Sequence, residues 1–438
     1  MGRCGHPATG PVAAGVAPQV HNAGVTDSGL IDEAARRLAG IAELTPLQYN
    51  QRLSELTGAS VWLKREDLQP VRSYKIRGAY NLIAQLTAAE RAAGVVCASA
   101  GNHGQGVAFA CARLGIDAAI FVPSTTPRQK RERMLALGNG RVRLVVTGDT
   151  YDEAATAAVA DAEQRGAVLV PAFDDPRTIA GQGTVAREIV EQLGAAPDVL
   201  VLPVGGGGMI AGCLTWLAGN QAATKVVGVE PAGSPTLAVA LDAGEPRDLP
   251  QVDTFVDGAA VRRAGDLTYQ IAARHRPSMY SVPEGRICSE MLQLYQTEGI
   301  IAEPAGALAT ASLGIFRPQP GQTVVALVSG GNNDVSRYAE IVERALVYEG
   351  RKHYFLVNFP QEPGALRRFL DEVLGPDDDI TLFEYIKRSN RETGPALVGI
   401  ELGDPDSLPD LLGRMAASPI TVEPIDPASP AFRFLVAG

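Results

Sequence analysis

The 438-residue sequence predicts a doubly wound α/β unit followed by a small α+β unit of ferredoxin-like topology. From about Ile31 to Val347, short uncharged β-branched segments alternate with Ala-rich helical patterns, which is typical of parallel strands covered by helices on both faces. After Asn333 the pattern changes to short strands and two helices in the order β-α-β-β-α-β. The length also exceeds what one hydrophobic core usually organises.

The predicted strands of the first unit are short apolar segments in which Arg143 is the one charged residue. They cover residues 61–63, 95–97, 119–122, 142–146, 168–170, 199–202, 226–229 and 324–328. The second unit has predicted strands at 353–359, 380–387, 396–402 and 420–425 and helices at 364–374 and 408–417. We expect a flexible tail over 1–28, a catalytic domain over 29–348 and a regulatory domain over 349–438. Ligands of such sheets bind where strands end, so four polar loops at consecutive strand ends are expected to converge on one rim.

Composition indicates a protein that binds small molecules. The net charge is −10 and no Lys/Arg cluster stands out, which argues against nucleic acid and anionic membrane surfaces as partners. The uncharged segment 199–219 contains Pro203 and four glycines, so a membrane span is not expected there. The five cysteines are scattered and the N-terminus lacks a compact apolar segment, which predicts a reducing, cytoplasmic location.

The strongest local signal is a run of four glycines, residues 205–208, between a predicted strand and a helix that begins near Met209. Backbone N–H groups there can surround an anion, and the helix dipole adds positive potential, so a phosphate site is predicted. The sequence lacks G-K-[ST] and is therefore not a nucleotide P-loop. The alternative is a tight turn without a ligand.

Three further loops carry polar groups directly after strands. Lys75 begins a helical pattern, where the positive helix end and burial would favour a neutral, nucleophilic amine; the alternative is a solvated surface lysine. Residues 97–106, C-A-S-A-G-N-H-G-Q-G, offer Ser99, Gly101 and Asn102 as donors at a helix start, or a simple N-capping turn. Ser329 in V-S-G-G-N-N presents a neutral hydroxyl, or belongs to an ordinary β-turn.

Between about Thr45 and Asn333 these motifs together resemble the biosynthetic threonine dehydratases, which are fold type II pyridoxal-phosphate enzymes of the tryptophan synthase β type. The similarity rests on T-P-L, K-R-E-D, S-Y-K-I-R-G-A, S-A-G-N-H-G-Q-G-V-A, G-Q-G-T, V-G-G-G-G, A-E-P-A-G-A and S-G-G-N. It implies that Lys75 binds the aldehyde of pyridoxal 5'-phosphate covalently and later removes the substrate α-proton. The implied reaction converts L-threonine to 2-oxobutanoate and ammonia, the first step of isoleucine biosynthesis.

The resemblance also assigns binding roles. The cofactor phosphate would be held by Gly205, Gly206, Gly207, Gly208 and Met209. The ring would contact Tyr74 on one face, Asn102 at its hydroxyl and Ser329 at its nitrogen. The substrate carboxylate would be held by Ser99, Ala100, Gly101, Asn102 and His103. Glu303, in A-E-P-A-G-A, falls near the active site without a defined role.

At two positions the sequence departs from related families, and these departures limit the type of reaction that is expected. Serine racemases that resemble this family have a second serine at the position of Ala100, so the second proton donor needed for racemisation is missing here. Metal-dependent members supply a glutamate and, six residues on, an aspartate; here Glu230 is followed by Thr236, so no metal is predicted.

The C-terminal segment H-Y-F-L-V-N-F-P-Q-E-P-G-A-L-R-R-F-L resembles ACT-like regulatory domains. The resemblance implies isoleucine as a feedback inhibitor bound near residues 360–366 between subunits, and a homotetramer. A dimerisation module without a ligand is the alternative. For the whole chain, L-serine dehydratase and a catalytically silent amino-acid sensor are the other readings.

Overall fold

We describe a computed structural model that covers residues 27–360, 362–385 and 393–426, together with 429, 432 and 435. Most of the predicted tail, residues 1–26, lies outside the described residues. The first helix begins at Ser28, and Asp27 caps it by accepting a hydrogen bond from the Leu30 N–H at 3.0 Å.

The helices and strands follow the predicted alternation. The helices are α1 (Ser28–Leu38), α2 (Gln51–Thr57), α3 (Lys75–Ala84), α4 (Ala88–Ala93), α5 (Asn102–Leu114), α6 (Arg128–Gly138), α7 (Tyr151–Arg165), α8 (Pro176–Leu193), α9 (Gly208–Gly219), α10 (Thr236–Ala243), α11 (Asp266–His275), α12 (Glu284–Glu298), α13 (Pro304–Ala311), α14 (Tyr338–Tyr348), α15 (Ala365–Glu372) and α16 (Leu408–Ala417). The strands are β1 (Leu47–Tyr49), β2 (Ser60–Arg65), β3 (Val95–Ala98), β4 (Ala118–Val122), β5 (Val142–Val146), β6 (Val168–Leu169), β7 (Val199–Pro203), β8 (Lys225–Pro231), β9 (Ser278–Val282), β10 (Thr323–Val328), β11 (Lys352–Pro360), β12 (Asp379–Tyr385), β13 (Thr393–Glu401) and β14 (Thr421–Pro424).

The strands of the first unit form two separate sheets. The larger sheet has the order β1-β2-β10-β7-β8-β9 and is parallel except for β1. The smaller sheet has the order β5-β4-β3-β6 and is parallel throughout. The predicted parallel α/β architecture is confirmed, with all eight predicted strands present. Buried Val, Ile, Leu and Ala side chains cover both faces of each sheet, which explains why these strands carry so few charges.

A buried ionic cluster lies behind helix α3. The Arg77 guanidinium donates to Glu66 through Nε and Nη2, both at 2.8 Å, and to Glu188 through Nη1 at 2.6 Å. Lys64 Nζ donates to Glu188 at 2.8 Å, and Thr45 Oγ1 donates to Glu66 at 2.7 Å. Since Arg77 is two residues from Lys75, this cluster fixes the helix turn that carries the predicted catalytic lysine.

The C-terminal unit is an antiparallel sheet of order β12-β13-β11-β14 with α15 and α16. This is the strand order of a ferredoxin-like fold, so the prediction is confirmed. The predicted strand at 380–387 is β12, which ends at Tyr385; residues 386–392 lie outside the described residues.

Segment 199–219 forms β7, a loop and α9, as predicted. In the described part of the chain, no helix is long and apolar enough to cross a membrane.

Candidate active site

The glycine loop, residues 205–208, connects β7 to α9. Gly207 has φ +90°, a conformation that strains any residue with a Cβ atom. Because α9 begins at Gly208, the unpaired N–H groups of its first turn face the loop. Thr268 supports the loop from behind by donating its Oγ1 hydrogen to the Gly206 carbonyl oxygen at 2.7 Å. The loop therefore offers the backbone donors and helix-end potential that an anion needs.

Lys75 is the first residue of α3 and is partly buried. Its Nζ donates to the Ala172 carbonyl oxygen at 3.0 Å. Burial lowers the pKa of Lys75 to about 8, against the opposing effect of the Glu303 carboxylate. A neutral amine is therefore accessible to Lys75 near physiological pH, as the sequence predicts.

The Asn102 side chain, at the start of α5, is held from two sides. Its Nδ2 donates to Glu303 Oε1 at 2.5 Å, and its Oδ1 accepts from Asn332 Nδ2 at 2.7 Å. Burial and then the Asp257 carboxylate raise the pKa of Glu303 to about 7, although its hydrogen bonds from Asn102 and the Asn332 backbone oppose the shift. A carboxyl group that titrates near neutrality thus contacts a predicted cofactor-binding residue.

The predicted carboxylate loop, residues 99–103, lies between β3 and the first turn of α5. The Ser99 Oγ accepts from the Gly101 N–H at 3.2 Å. His103 is buried with its Nε2 2.7 Å from the Val170 carbonyl oxygen. Burial and the nearby Lys75 lower the pKa of His103 to about 4, so its ring is neutral at pH 7. The His103 side chain is thus buried and hydrogen-bonded within the protein. Its backbone N–H is therefore the group of His103 that can bind a substrate carboxylate.

Ser329 and Tyr74 lie next to each other. Ser329 follows β10, is buried, and donates its Oγ hydrogen to the Ala305 carbonyl oxygen at 3.1 Å. Bonding to a ring nitrogen requires this hydroxyl to rotate away from Ala305, which a serine hydroxyl can do. The Tyr74 N–H donates to the Ser329 carbonyl oxygen at 3.2 Å, and Lys75 Nζ lies 5.3 Å from the centre of the Tyr74 ring.

The four loops do not share the rim of one sheet, so that expectation is wrong in detail. The loop containing Asn102 follows β3 of the smaller sheet, whereas those containing Lys75, residues 205–208 and Ser329 follow β2, β7 and β10 of the larger sheet. They meet because the carboxyl ends of both sets of strands open into the space between the sheets. The contact of Asn102 with Glu303 is made across this space.

Sequence reasoning did not identify the residues that lie between Lys75 and the glycine loop, namely Gln182, Ala172 and Phe173. Gln182 donates through Nε2 to the Ala172 carbonyl oxygen at 3.0 Å, the same oxygen that accepts from Lys75. Its Oε1 is buried with no hydrogen-bond partner among the described residues. The Phe173 ring packs so closely on Gly206 that a Cβ atom there would overlap it. Gln182 stands out as a polar residue in the G-Q-G-T motif, whereas Ala172 and Phe173 carry no local signal.

Glu230, considered above as a metal ligand, has another structural use. Its buried carboxylate accepts hydrogen bonds from the Leu237 and Ala238 N–H groups at 2.6 and 3.0 Å, at the start of α10. Within the described ranges there is no group of three or more His, Cys, Asp or Glu side chains arranged to hold a metal ion. That no metal is required stays a prediction.

A partly buried lysine beside a glycine-rich helix start defines a class of enzyme that binds a phosphorylated aldehyde cofactor. The family model of pyridoxal-phosphate dependent enzymes matches residues 39–330, and that of the C-terminal regulatory domain of threonine dehydratase matches residues 343–435. The chain belongs to the biosynthetic threonine dehydratase family of pyridoxal-phosphate dependent enzymes.

Close relatives share nearly the whole length of the chain. The biosynthetic L-threonine dehydratase IlvA of Mycobacterium tuberculosis strain H37Rv is 61% identical, over 93% of this chain and 95% of the relative. That of Bacillus subtilis is 47% identical, over 90% and 93%. Among solved structures, the processed form of threonine deaminase isoform 2 from Solanum lycopersicum is 36% identical, with a TM-score of 0.69, covering 76% of this chain and 94% of that one.

The residues present fit pyridoxal 5'-phosphate. Gly207, in its positive-φ conformation, and the first turn of α9 form a cradle for a phosphate, and Lys75 supplies an amine with a lowered pKa. The unpartnered Oε1 of Gln182 lies against Gly208, so an unsatisfied polar atom faces the same region.

Proposed function

We propose that the chain converts L-threonine to 2-oxobutanoate and ammonia, as the names of its relatives indicate for those proteins. One observation carries the proposal: the Lys75 amine, with its pKa lowered to about 8, lies at a helix start in a site that also contains a glycine cradle for a phosphate. When bound, the cofactor withdraws electrons from the substrate α-carbon. In the reaction, water is lost from the substrate and one water is taken up again when ammonia is released.

Lys75 is the proposed base. Its Nζ would hold the cofactor aldehyde, and the same amine would supply the base that takes the substrate α-proton. The Ala172 carbonyl oxygen, 3.0 Å from Nζ, gives the freed amine a fixed hydrogen-bond acceptor. Because this oxygen is also held by Gln182, the acceptor does not move when the lysine changes partner. These contacts keep the amine at a defined position rather than on a freely rotating chain.

The proposed binding residues are those of the four loops. Residues 205–208 and Met209 hold the phosphate, with Thr268 fixing the Gly206 carbonyl oxygen. Tyr74 would contact the ring face, Asn102 the ring oxygen and Ser329 the ring nitrogen. Residues 99–103 hold the substrate carboxylate, supported by the N-terminus of α5.

We also propose that isoleucine inhibits the enzyme by binding the regulatory domain. An open groove lies beside the end of β11 and the start of α15, where the effector was predicted. Its lining includes Phe359, Leu366, Leu370, Phe383 and Tyr385. Leu366 and Leu370 are exposed although apolar, which suits the aliphatic side chain of such a ligand. Gln361, inside the predicted segment 360–366, lies outside the described residues.

Four finer assignments complete the proposal. The domain boundary lies near Glu349, between α14 and β11, with the catalytic domain over 29–348 and the regulatory domain over 349–438. The enzyme is a homotetramer and acts in isoleucine biosynthesis. It is cytoplasmic, which is consistent with the buried free thiols of Cys97, Cys111, Cys213 and Cys288.

One experiment tests the function. The rate of 2-oxo acid formation is measured with threonine and with serine, each with and without isoleucine. We expect the larger kcat/KM with threonine and inhibition by isoleucine. Preference for serine would favour the serine dehydratase alternative, and inactivity with a colourless protein would favour the amino-acid sensor. An unchanged rate with isoleucine would leave the regulatory domain as a dimerisation module. Borohydride reduction should attach the cofactor to Lys75 and fail in Lys75→Ala.

A further inference from the structure

Three side chains at the site form a closed hydrogen-bonded group, which we call the amide clamp: Asn102, Glu303 and Asn332. Asn102 lies at the start of α5, Glu303 precedes α13, and Asn332 follows β10. We propose that Glu303 and Asn332 are positioning residues that fix the Asn102 amide with its Nδ2, not its Oδ1, towards the cofactor ring oxygen. This inference rests on the proposed function, in which Asn102 contacts that oxygen.

The donors and acceptors of the clamp permit one orientation of the Asn102 amide. The Asn332 Nδ2 hydrogens go to the Val71 carbonyl oxygen at 2.9 Å and to Asn102 at 2.7 Å. A carbonyl oxygen can only accept, so the Asn332 amide cannot be reversed, and the Asn102 atom that faces it must be Oδ1. On the opposite side, a carboxylate can only accept, so the atom facing Glu303 must be Nδ2.

Asn332 alone therefore fixes the orientation of the Asn102 amide, and the ionised Glu303 carboxylate selects the same orientation. The amide nitrogen of Asn102 carries two hydrogens, and Glu303 takes one of them. The second hydrogen remains for an acceptor such as the deprotonated ring oxygen. If the Asn102 amide were reversed, its oxygen would face both the Glu303 carboxylate and the ring oxygen. Both of these groups are acceptors, so each would repel the amide oxygen.

The backbone around the clamp is shaped to hold it. A Cβ atom on Gly330 would overlap Glu303 Oε1 and come within 3.3 Å of Asn102 Nδ2. The Glu303 N–H donates to the Gly330 carbonyl oxygen at 3.1 Å, so backbone and side chain of Glu303 are both fixed against this glycine. The S-G-G-N motif thus supplies a bare α-carbon at Gly330 and an amide at Asn332 for the same contact.

The charges facing Glu303 come from both sides of the clamp. Asp257 lies on the outer side, where Lys130 and Arg337 pair with it, and Lys75 and Tyr74 lie on the inner side. A protonated carboxyl group keeps its carbonyl oxygen as an acceptor. Glu303 therefore holds Asn102 in either protonation state, which separates a positioning role from an acid–base role.

The holoenzyme is tested with Glu303→Ala, Glu303→Gln, Asn332→Asp, Asn102→Ala and the double variant Asn102→Ala/Glu303→Ala. The readouts are the visible absorption maximum of the bound cofactor, its dissociation constant and the pH profile of kcat. We expect Asn102→Ala and Glu303→Ala each to shift the maximum and to weaken cofactor binding about ten-fold, the effect of one charge-assisted hydrogen bond. Asn332→Asp replaces a donor by an acceptor and should act in the same direction. Glu303→Gln keeps an acceptor and should restore the wild-type spectrum and affinity.

The double variant gives the sharpest comparison, because Glu303→Ala should add nothing once Asn102 is gone. Additive effects of the two substitutions would overturn the inference. A Glu303→Gln variant that is as impaired as Glu303→Ala, with one limb of the pH profile lost, would also overturn it and would favour an acid–base role. If Asn102→Ala is damaging and the Glu303 and Asn332 variants are silent, the inference alone fails. If Asn102→Ala itself is silent, the cofactor contact and the inference fail together. Glu230→Gln is the matched control. Glu230 is also buried with its pKa raised to about 7, but it lies on β8, where its carboxylate accepts from the first turn of α10. The spectrum of this variant should equal that of the wild type.

Discussion

Tyr354, on β11, donates its hydroxyl hydrogen to Glu343 on α14 at 2.5 Å. Lys352 Nζ pairs with the other oxygen of the same carboxylate. The next residue, Arg344, places its guanidinium 4.3 Å from the centre of the Phe255 ring, two residues before Asp257. A continuous set of contacts thus joins the regulatory sheet to the neighbourhood of Glu303.

Replacing Tyr354 by Phe should weaken inhibition by isoleucine without changing the uninhibited rate. The change removes the hydrogen bond to Glu343 and leaves the catalytic residues untouched. We expect the isoleucine concentration for half-inhibition to rise about five-fold, which corresponds to a coupling free energy near 1 kcal/mol. The control is Tyr348→Phe, at an exposed tyrosine on α14, the helix that also carries Glu343. A lower basal rate with unchanged inhibition would contradict this prediction.

Replacing Lys75 by Met should stabilise the cofactor-free protein at neutral pH. The folded-state pKa of about 8 lies below the ordinary value of 10.5, so the protonated amine costs folding free energy below pH 8. For a partly buried group we expect about 2 kcal/mol in the free energy of unfolding. The Ala172 carbonyl oxygen keeps Gln182 as a partner in the variant. Denaturant titrations should show the advantage shrinking between pH 8 and 10.5, and a pH-independent difference would contradict the assignment.

Replacing Thr268 by Val should weaken cofactor binding. The substitution keeps the side-chain shape but removes the hydroxyl that donates to the Gly206 carbonyl oxygen behind the glycine loop. We expect the dissociation constant of the cofactor to rise about ten-fold, the usual effect of leaving one buried polar group unpaired. Thr268→Ser retains the hydroxyl and should bind as the wild type does. Equal losses in both variants would show that packing, not the hydrogen bond, matters.

Replacing Glu66 by Gln should destabilise the folded enzyme strongly. Burial alone would raise the pKa of Glu66, but the Arg77 and Lys64 cations outweigh it, so the pKa is lowered and the carboxylate is charged. Removing that charge leaves Arg77 short of a partner in the interior, which costs about 3 kcal/mol or more. The depressed pKa also predicts that this stabilisation is lost as pH falls through the folded-state value. Thermal unfolding measures the effect, and Arg128→Ala, in an exposed ion pair, should change nothing measurable.

The fold could be predicted largely because its strands are buried on both faces and so appear as uncharged runs. Strands β1 and β9 could not be predicted, because neither forms a continuous buried apolar segment. β1 has only three residues and a mostly exposed surface, and β9, S-M-Y-S-V, contains two serines and no continuous apolar run. The division into two sheets was also not predicted, because strand periodicity identifies strands but not their lateral neighbours.

The candidate site could be predicted where one short segment carries the signal. Lys75, Asn102 and residues 205–208 each combine a strand end, a helix start and a distinctive residue within a few positions. The partner of Asn102 could not be predicted, because Glu303 lies 201 residues away in sequence and the contact depends on how two sheets pack. The same holds for Phe173, which becomes part of the site only through its position on Gly206.

The placement of Asn102 beyond the smaller sheet, and of Glu303 and Asn332 on the side of the larger one, has a mechanical consequence. Any hinge motion that separates the two halves stretches the hydrogen bonds between them. Such a separation would break the hydrogen bonds from Asn102 to Glu303 and Asn332, and its reversal would restore them. The spacing of the two sheets and the orientation of the Asn102 amide are therefore coupled.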